Sequence, residues 1–407
     1  MTISSCLDQA TSNLSVPADW NVRRVGIFAT KVGSGATPRG GKSVYVNTRV
    51  SHALIRSQHV FDRRFEIAGL AFIAKEHSDE LRNAEVRSGD ILLNITGDGV
   101  TFARACIVPD EILPACVNQH VSIIRVDQKA CVPGYLLAFL THPLTKRYIE
   151  SFNTGGSRRA ITKGHIESFE VPLLPLPIQR RIASILSAYD DLIENNQRRI
   201  KILEEMARSL YREWFVHFRF PGHEEVKMVS SPRGPIPQGW EVKKLGEVLE
   251  LNYGKALKQD TRREGKISVF GSSGIVGYHD TSLVKGPGII IGRKGNVGSV
   301  FWSDADFYPI DTAYFVTSSL PLRSMFYELQ TKNFINNDAA VPGLSCHQAY
   351  SLETVIPPTD LLARFCRLAD NFEKQASKLR HQIKNLRHTR DLLLPRLLSG
   401  QLIKAVS

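Results

Sequence analysis

Two stretches of this chain carry apolar residues at alternating steps of three and four, the spacing that draws one narrow stripe down a helix. The first stripe runs Ile178, Ile182, Ile185, Tyr189, Leu192, Asn196, Ile200, Leu203, Ala207, Leu210 and Trp214. The second runs Phe365, Leu368, Phe372, Ala376, Leu379, Ile383, Leu386, Leu393 and Leu397. A stripe this narrow is a coiled-coil seam, and it predicts two long helices that pair with each other in antiparallel fashion. Packing of each helix only on its own globular neighbour is the alternative. The first stripe breaks rhythm once, with two four-residue steps around Asn196, which reads as a stutter. An Asn at that place either fixes the register or is solvated there.

Outside these stretches the apolar runs are short and bounded by Gly and Pro, as in Asp90–Asn94 and Gly288–Ile291, and they predict strands and turns. The pattern also repeats. Pro17-x-x-Trp20-x-Val22 recurs as Pro237-x-x-Trp240-x-Val242 at an offset of 220, and Val86 through Gly97-Asp98 recurs as Val284 through Gly295-Asn296 at 198. Pro133 and Pro321, each opening a helix signal, stand 188 apart, and the long helices match at 183 without a gap. The prediction is an α+β chain made of two copies of one unit, each globular piece followed by a long helix. The expected boundaries are an N-terminal extension over 1–16, globular units over 17–175 and 237–357, helical segments over 176–220 and 358–407, and an extended Pro/Gly-rich linker over 221–236. The falling offsets place most of the length difference between Gly26 and Val86, against Gly246 to Val284.

With 407 residues, 43% of them hydrophobic and 23% charged, the chain has the composition of a globular multidomain protein. No run approaches the roughly 20 apolar residues of a membrane span, and no signal peptide is evident, so a cytoplasmic protein without a membrane partner is expected. The six cysteines lack metal-ligand spacing, and no metal site is expected.

Chemistry-bearing motifs are missing. Adenine methylation would require an Asn/Asp-Pro-Pro-aromatic loop, and Ile356-Pro357-Pro358-Thr359 has the wrong flanks. Gly40-Gly41-Lys42-Ser43 ends like a phosphate-cradling loop but has Ala36 where that loop has its first Gly. Gly292-Arg-Lys-Gly295-Asn-Val-Gly298 reads better as a hairpin turn with two cations, since its copy at Thr96–Gly99 does not keep the glycines. No catalytic residue is assigned, and no cofactor is expected on the chain itself.

The net charge of +12 raises the expectation of a nucleic-acid partner. Cations gather among Gly, Ser and Thr, where backbone can approach a phosphate and long side chains can reach it or a base edge. The candidate DNA contacts are Arg39 and Lys42; Arg158 and Arg159 beside Gly155-Gly-Ser, with Lys163; Lys255, Lys258 and Arg262; and Arg293 with Lys294. Solvated surface loops would look similar. The candidate seam residues are Ile182, Ile185, Tyr189, Ile200, Leu203, Leu210, Phe365, Leu368, Phe372, Ile383, Leu386 and Leu393.

Pro175-Leu-Pro-Ile-Gln179-Arg-Arg-Ile182, Asp190-Asp-Leu-Ile-Glu-Asn-Asn196, Leu203-Glu-Glu-Met and Leu210-Tyr-Arg-Glu-Trp-Phe, continuing to Pro221-Gly-His223, closely resemble the first central helical region of specificity subunits of Type I restriction-modification enzymes. The repeated Pro-x-x-Trp openings and the two unequal units extend the resemblance over essentially the whole chain. The second copy departs from the pattern at Pro357-Pro-Thr-Asp360, where Gln179 has no counterpart. The resemblance implies a subunit without chemistry of its own. It implies two target recognition domains that each read one half of a split, asymmetric site in double-stranded DNA, with antiparallel helices that fix the gap. Two modification subunits that carry S-adenosylmethionine and methylate adenine would dock on it, joined by restriction subunits that use ATP and Mg²⁺. The alternative is a DNA methyltransferase or nuclease with an unrecognised site. Much of the base readout is expected between Gly26 and Val86.

Overall fold

The computed structural model describes residues 21–154, 156, 158–334 and 343–398. Pro17, Trp20, the N-terminal extension, Gly155, Ser157 and residues 399–407 of the C-terminal segment lie outside the described residues. The chain divides into two compact units, Met1–Asn196 with His381–Ser407, and Gln197–Arg380.

In the first unit, β1 (Val22–Arg24) leads into β2 (Ala29–Ser34), and β3 (His52–Ile55), β4 (Ala71–Ile73), β5 (Glu85–Val86), β6 (Ile91–Asn94), β7 (Thr96–Gly97), β8 (Ala105–Ile107), β9 (Ala115–Val117) and β10 (Val121–Val126) follow. Helices α1 (Pro133–Leu140) and α2 (Pro143–Glu150), β11 (Arg159–Ala160), β12 (Glu170–Pro172) and the long α3 (Leu176–Tyr211) complete the first copy. One four-stranded sheet has the order β8-β6-β10-β2 and a second β4-β3-β9-β5, with β9 parallel to β3. The first sheet is covered on both faces. Ile91 and Leu93 point into a core shared with Tyr135, Phe139 and Ile149 of the helices, while Leu92 between them points into the core under the second sheet with Leu54 and Cys116. Burial on both faces explains why β6 is a continuous apolar run rather than an alternating one.

The second unit repeats this frame. It contains β13 (Glu241–Lys244), β14 (Leu249–Tyr253), β15 (Ile267–Gly271), β16 (Gly274–His279), β17 (Gly288–Gly292), β18 (Val300–Ser303), β19 (Phe307–Pro309), β20 (Ala313–Ser318), α4 (Leu322–Gln330), β21 (Glu353–Ile356) and α5 (Thr359–Leu398). The sheet order β18-β17-β20-β14 matches β8-β6-β10-β2 strand for strand, and β16-β15-β19 matches β4-β3-β9, again with its last pair parallel. Ile289 and Ile291 face α4, and Ile290 faces Phe270 and Phe307.

The length difference resolves into particular loops. Between β15 and β16 there is a tight turn, whereas the equivalent segment between β3 and β4 spans residues 56–70 and folds into a small hairpin pairing Val60 with Phe65. That insertion packs inward. Arg63, at φ 59°, donates through Nε to Thr141 Oγ1 and through Nη2 to the Ala138 carbonyl. Its Nη1 meets Asp190 of α3 at 3.1 Å. Of the rest of the expected readout region, residues 35–44 leave β2 and pass through a short helical turn at Gly41–Val44. Residues 45–51 are tied to the second sheet, where Val46 bridges Phe72 and Arg49 donates to the Ile112 and Leu113 carbonyls.

The long helices pair in antiparallel order inside each unit, as the stripes predict. In the first unit Ile182 and Leu186 share a core with Leu394 and Leu397, Asp190 meets Arg390 at 2.6 Å, and Asn196 Nδ2 lies 3.5 Å from Gln382 Oε1. In the second, Glu204 meets Arg380 at 2.9 Å, and Ala207, Tyr211 and Trp214 pack with Phe365 and Ala369. Phe365 is the hub, edge-on to Tyr211, Trp214, Phe215 and Tyr327.

The seam needs correction in detail. Leu192 is 50% exposed and Ile193 is 7%, so the neighbour occupies the seam. Leu368 is 37% exposed and its place is taken by the buried Ala369. Leu186 and Tyr211 are likewise more deeply buried than Ile185 and Leu210, which are half-buried beside them. With Ile193 in place, the steps through the buried Asn196 are a regular three and four, and no stutter occurs there. The doubled four-step falls instead at Leu203, Ala207 and Tyr211, directly before the helix widens into a π-helical turn at Arg212–Val216. Tyr189, Ile200, Leu203, Phe372 and Leu386 are half-buried, and Ile383 and Phe365 are buried. Arg390 fills the one seam position where the second stripe has no apolar residue. Residues 221–236 are not a free linker: Val226 and Ile236 join the Phe365 core, and Met228–Val229 pairs with Ile236–Pro237.

Burial holds His59 and His142 below the ordinary histidine range. His142 spans α2 and α5, with Nε2 against the Asp391 carbonyl at 3.0 Å. The unfolded chain titrates near 6.5, so stability is complete above that pH. It declines as pH falls below 6.5, because the unfolded state takes up protons that the folded state refuses. The denaturant midpoint is expected to drop between pH 7.5 and 5.5, and His142→Gln should reduce that drop. An equal drop in the variant would remove His142 as a source.

Candidate nucleic-acid interface

At one end of the first unit four segments converge. Gly35, just after β2, donates its N–H to the Asn118 carbonyl, and Ile95 donates to His120, so the turn Asn118-Gln119-His120 is held from both sides. A side chain at Gly35 would place its Cβ 1.7 Å from the Val117 carbonyl oxygen, so the close crossing demands Gly. Thr37 donates to Gln119 Oε1 at 2.7 Å, and Thr96 Oγ1 is 2.7 Å from His120 Nδ1. Strand β11 pairs with β7, which brings Arg158 and Arg159 to the same end. Burial, with Arg158 adding to it, holds His120 below its ordinary pKa and favours the neutral ring. Asp98 is consumed by its own turn: Val100 N–H, Thr101 N–H and the Thr101 hydroxyl all donate to it, which pulls its pKa down to about 2.

The second unit builds the same end from equivalent pieces. Gly254 crosses the Ile310-Asp311-Thr312 turn, where an added Cβ would lie 2.2 Å from the Ile310 carbonyl oxygen. The Gly-rich loop Arg293–Ser299 is tied to that turn by Arg293 N–H donating to Thr312, and to the following segment by Leu344 N–H donating to Arg293.

The ten candidate cations separate into two groups. Arg39, Lys42, Arg158, Lys255, Lys258 and Lys294 are exposed, and among the described residues they have no acidic partner. The others are engaged. Arg159 pairs with Glu150 of α2, and Lys163 meets Glu167 at 3.5 Å. Arg293 donates to the Asp311 carbonyl and lies over Tyr253 and Tyr314, which positions the turn. Arg262 is a correction. It faces the fold, donating to the Val276 and Leu257 carbonyls, and so closes the open edge of β16. Beside it Arg263 pairs with Asp280 at 2.7 Å.

Sequence reasoning missed the turn residues Gln119, His120, Asp311 and Thr312. The signal was present as a weak one, since the two turns stand 192 apart, between the offsets of 198 and 188 that flank them. It also missed the hairpin β15–β16, whose Ile275, Val276 and Tyr278 are exposed.

A family model described as Type I restriction modification DNA specificity domain matches residues 17–205 and 237–344. The chain belongs to that family. Both matches cover a globular unit, and the first also reaches well along α3. The specificity subunit of the Type I restriction enzyme MjaIX from Methanocaldococcus jannaschii is 23% identical over 95% of this chain and 94% of its own length. The HindI specificity subunit from Haemophilus influenzae is 21% identical over 78% of this chain and 87% of its own. The crystal structure of a Type I specificity subunit from M. genitalium aligns with a TM-score of 0.55 at 14% identity, over 95% of this chain and 97% of that one, and it supports the same fold. Among the described residues no helix is long and apolar enough to cross a membrane, and no group of three or more potential metal ligands occurs.

Proposed function

We propose that this specificity-family chain is the DNA-recognition subunit of a Type I restriction-modification complex, and that it does no chemistry itself. Each unit, residues 17–175 and 237–357, would read one half of a bipartite, asymmetric target with its convergent loop end. The paired helices over 176–220 and 358–407 would set the gap and dock two modification subunits. S-adenosylmethionine would belong to those subunits, and ATP and Mg²⁺ to restriction subunits that join them in the cytoplasm. The observation that carries this reading is the duplicated frame: two units that share one four-stranded sheet order and one parallel strand pair present exposed cations and small residues at the equivalent end, with different side chains on each.

The test is reconstitution. The chain alone, given DNA, Mg²⁺ and S-adenosylmethionine, should transfer no methyl groups, whereas with its modification partner it should direct methylation to one bipartite motif. Turnover by the chain alone would instead favour an enzyme.

Lys294→Ala and Arg158→Ala should each weaken binding to all sequences and lower the slope of affinity against salt by about one. Arg262→Ala should leave that slope unchanged and lower the thermal midpoint of the second unit. A slope change in Arg262→Ala equal to that in Lys294→Ala would return Arg262 to the interface.

A further inference from the structure

We propose that the turn from β9 to β10, and its counterpart from β19 to β20, is the base-reading element of each unit. In this assignment Gln119 recognises an adenine and Asp311 the exocyclic amino group of a cytosine. The inference rests on the DNA-recognition reading above and assigns residues within it.

The two turns occupy one place in the duplicated frame, β9 to β10 and β19 to β20, and the loops of each unit carry exposed cations suited to phosphates that have no acidic partner among the described residues. These are Arg39, Lys42 and Arg158 in the first unit and Lys255, Lys258 and Lys294 in the second. The backbone of each turn is anchored. His120 N–H donates to Asn118 Oδ1 at 3.1 Å beside the Gly35 and Ile95 bonds, and Ile310 N–H donates to the Phe270 carbonyl at 2.8 Å beside the Arg293 bond. The side chains at the tips are exposed, and neither packs into a core.

Their chemistry narrows the partner. A carboxylate repels phosphate, so an exposed Asp311 on a surface that carries cations is suited to a hydrogen-bond donor of the bases rather than to the backbone. Its main-chain carbonyl takes the Arg293 guanidinium, and its carboxylate has no ion-pair partner among the described residues. In the major groove the amino donors are cytosine N4 and adenine N6, and carboxylates pair with the former. Gln119 is oriented by the Thr37 hydroxyl, which occupies one lone pair of Oε1. The other lone pair and the amide N–H₂ remain for the adenine N6 and N7 edge, the bidentate pairing that a side-chain amide makes. Asp98, a carboxylate at the first unit's end, is removed from this role by its own turn.

The experiment uses the complex reconstituted with its modification subunits, and reads both the methylated motif and binding to synthetic duplexes. Asp311→Asn should change the preferred base at one position of one half-site from cytosine to adenine, by roughly 5- to 150-fold in relative affinity. Gln119→Ala should relax one position of the other half. With the wild-type complex, 7-deazaadenine at that position should weaken binding at least about fivefold, and Gln119→Ala should abolish the difference. The duplex measurement keeps the test open should a variant fold poorly. An unchanged motif in active Asp311→Asn and Gln119→Ala complexes overturns the assignment, as does a wild-type complex indifferent to the N7 of every adenine in its target. A complex that methylates no defined motif would overturn the recognition reading itself.

Discussion

Insertion of one heptad into each long helix, where Asn196 faces Gln382, is expected to widen the preferred gap between half-sites by about three base pairs. Seven residues add about 10.5 Å of helix at about 1.5 Å each, and duplex DNA rises about 3.4 Å per base pair. The insertion must be seven in each helix because the seam is heptadic there: Ile193, Asn196 and Ile200 follow steps of three and four. A two-residue insertion in one helix turns the seam by roughly 200° and should destroy the pairing. The measurement is methylation by the reconstituted complex on targets with a series of gap lengths. A folded heptad variant that keeps the original gap would show that the helices are not the ruler.

Asp190→Ala is expected to destabilise the first unit by about 2–3 kcal/mol. Asp190 is bracketed by two guanidinium groups, Arg63 from the inserted hairpin at 3.1 Å and Arg390 from α5 at 2.6 Å. Burial lowers the pKa of Arg63 and Asp190 opposes it, so removing the carboxylate leaves a desolvated cation with a second one nearby. The Asp190 side chain keeps 24% exposure, which places the effect below that of a fully enclosed pair. Arg63 also holds a left-handed backbone conformation that a bulky residue adopts only when its surroundings enforce it. Chemical denaturation of the chain reads the effect. An Asp190→Ala unfolding free energy within about 0.5 kcal/mol of wild type would mean that water replaces the carboxylate freely.

The helix pair was legible in the sequence because its signal is periodic over five turns and more, and the duplication confirmed the period independently. Residue-level seam positions were not. Leu192 and Ile193 are adjacent and equally apolar, so periodicity alone cannot choose between them, and the wrong choice created a stutter at Asn196. Arg390 was invisible because an apolar template skips a cation, although the ion pair with Asp190 makes that position as much a part of the seam as its neighbours. At the loop ends composition could gather cations but not aim them. Lys258 and Arg262 stand four residues apart in one cluster, yet one faces solvent and the other closes a strand edge. Gln119 and Asp311 carry only the repeat offset, since a turn of three residues between two apolar strands acquires meaning only when β9 is seen to run parallel to β3 and deliver the turn to the same end as distant loops.

Each unit begins and finishes on neighbouring strands. Val22–Arg24 pairs with Glu170–Pro172, and Glu241–Lys244 with Glu353–Ile356. The chain therefore enters and leaves each globular unit through a two-stranded doorway, only one strand spacing wide, of about 4.8 Å. A foreign unit of any internal length can be grafted through that doorway provided it ends in the same strand pair, because nothing beyond the doorway has to stretch to accommodate it. The same closeness of ends allows the chain to be cut in an exposed loop and rejoined elsewhere without disturbing the frame. On the recognition reading, exchanging a whole cassette through its doorway would change one half of the target, while the helices that follow each doorway keep their register.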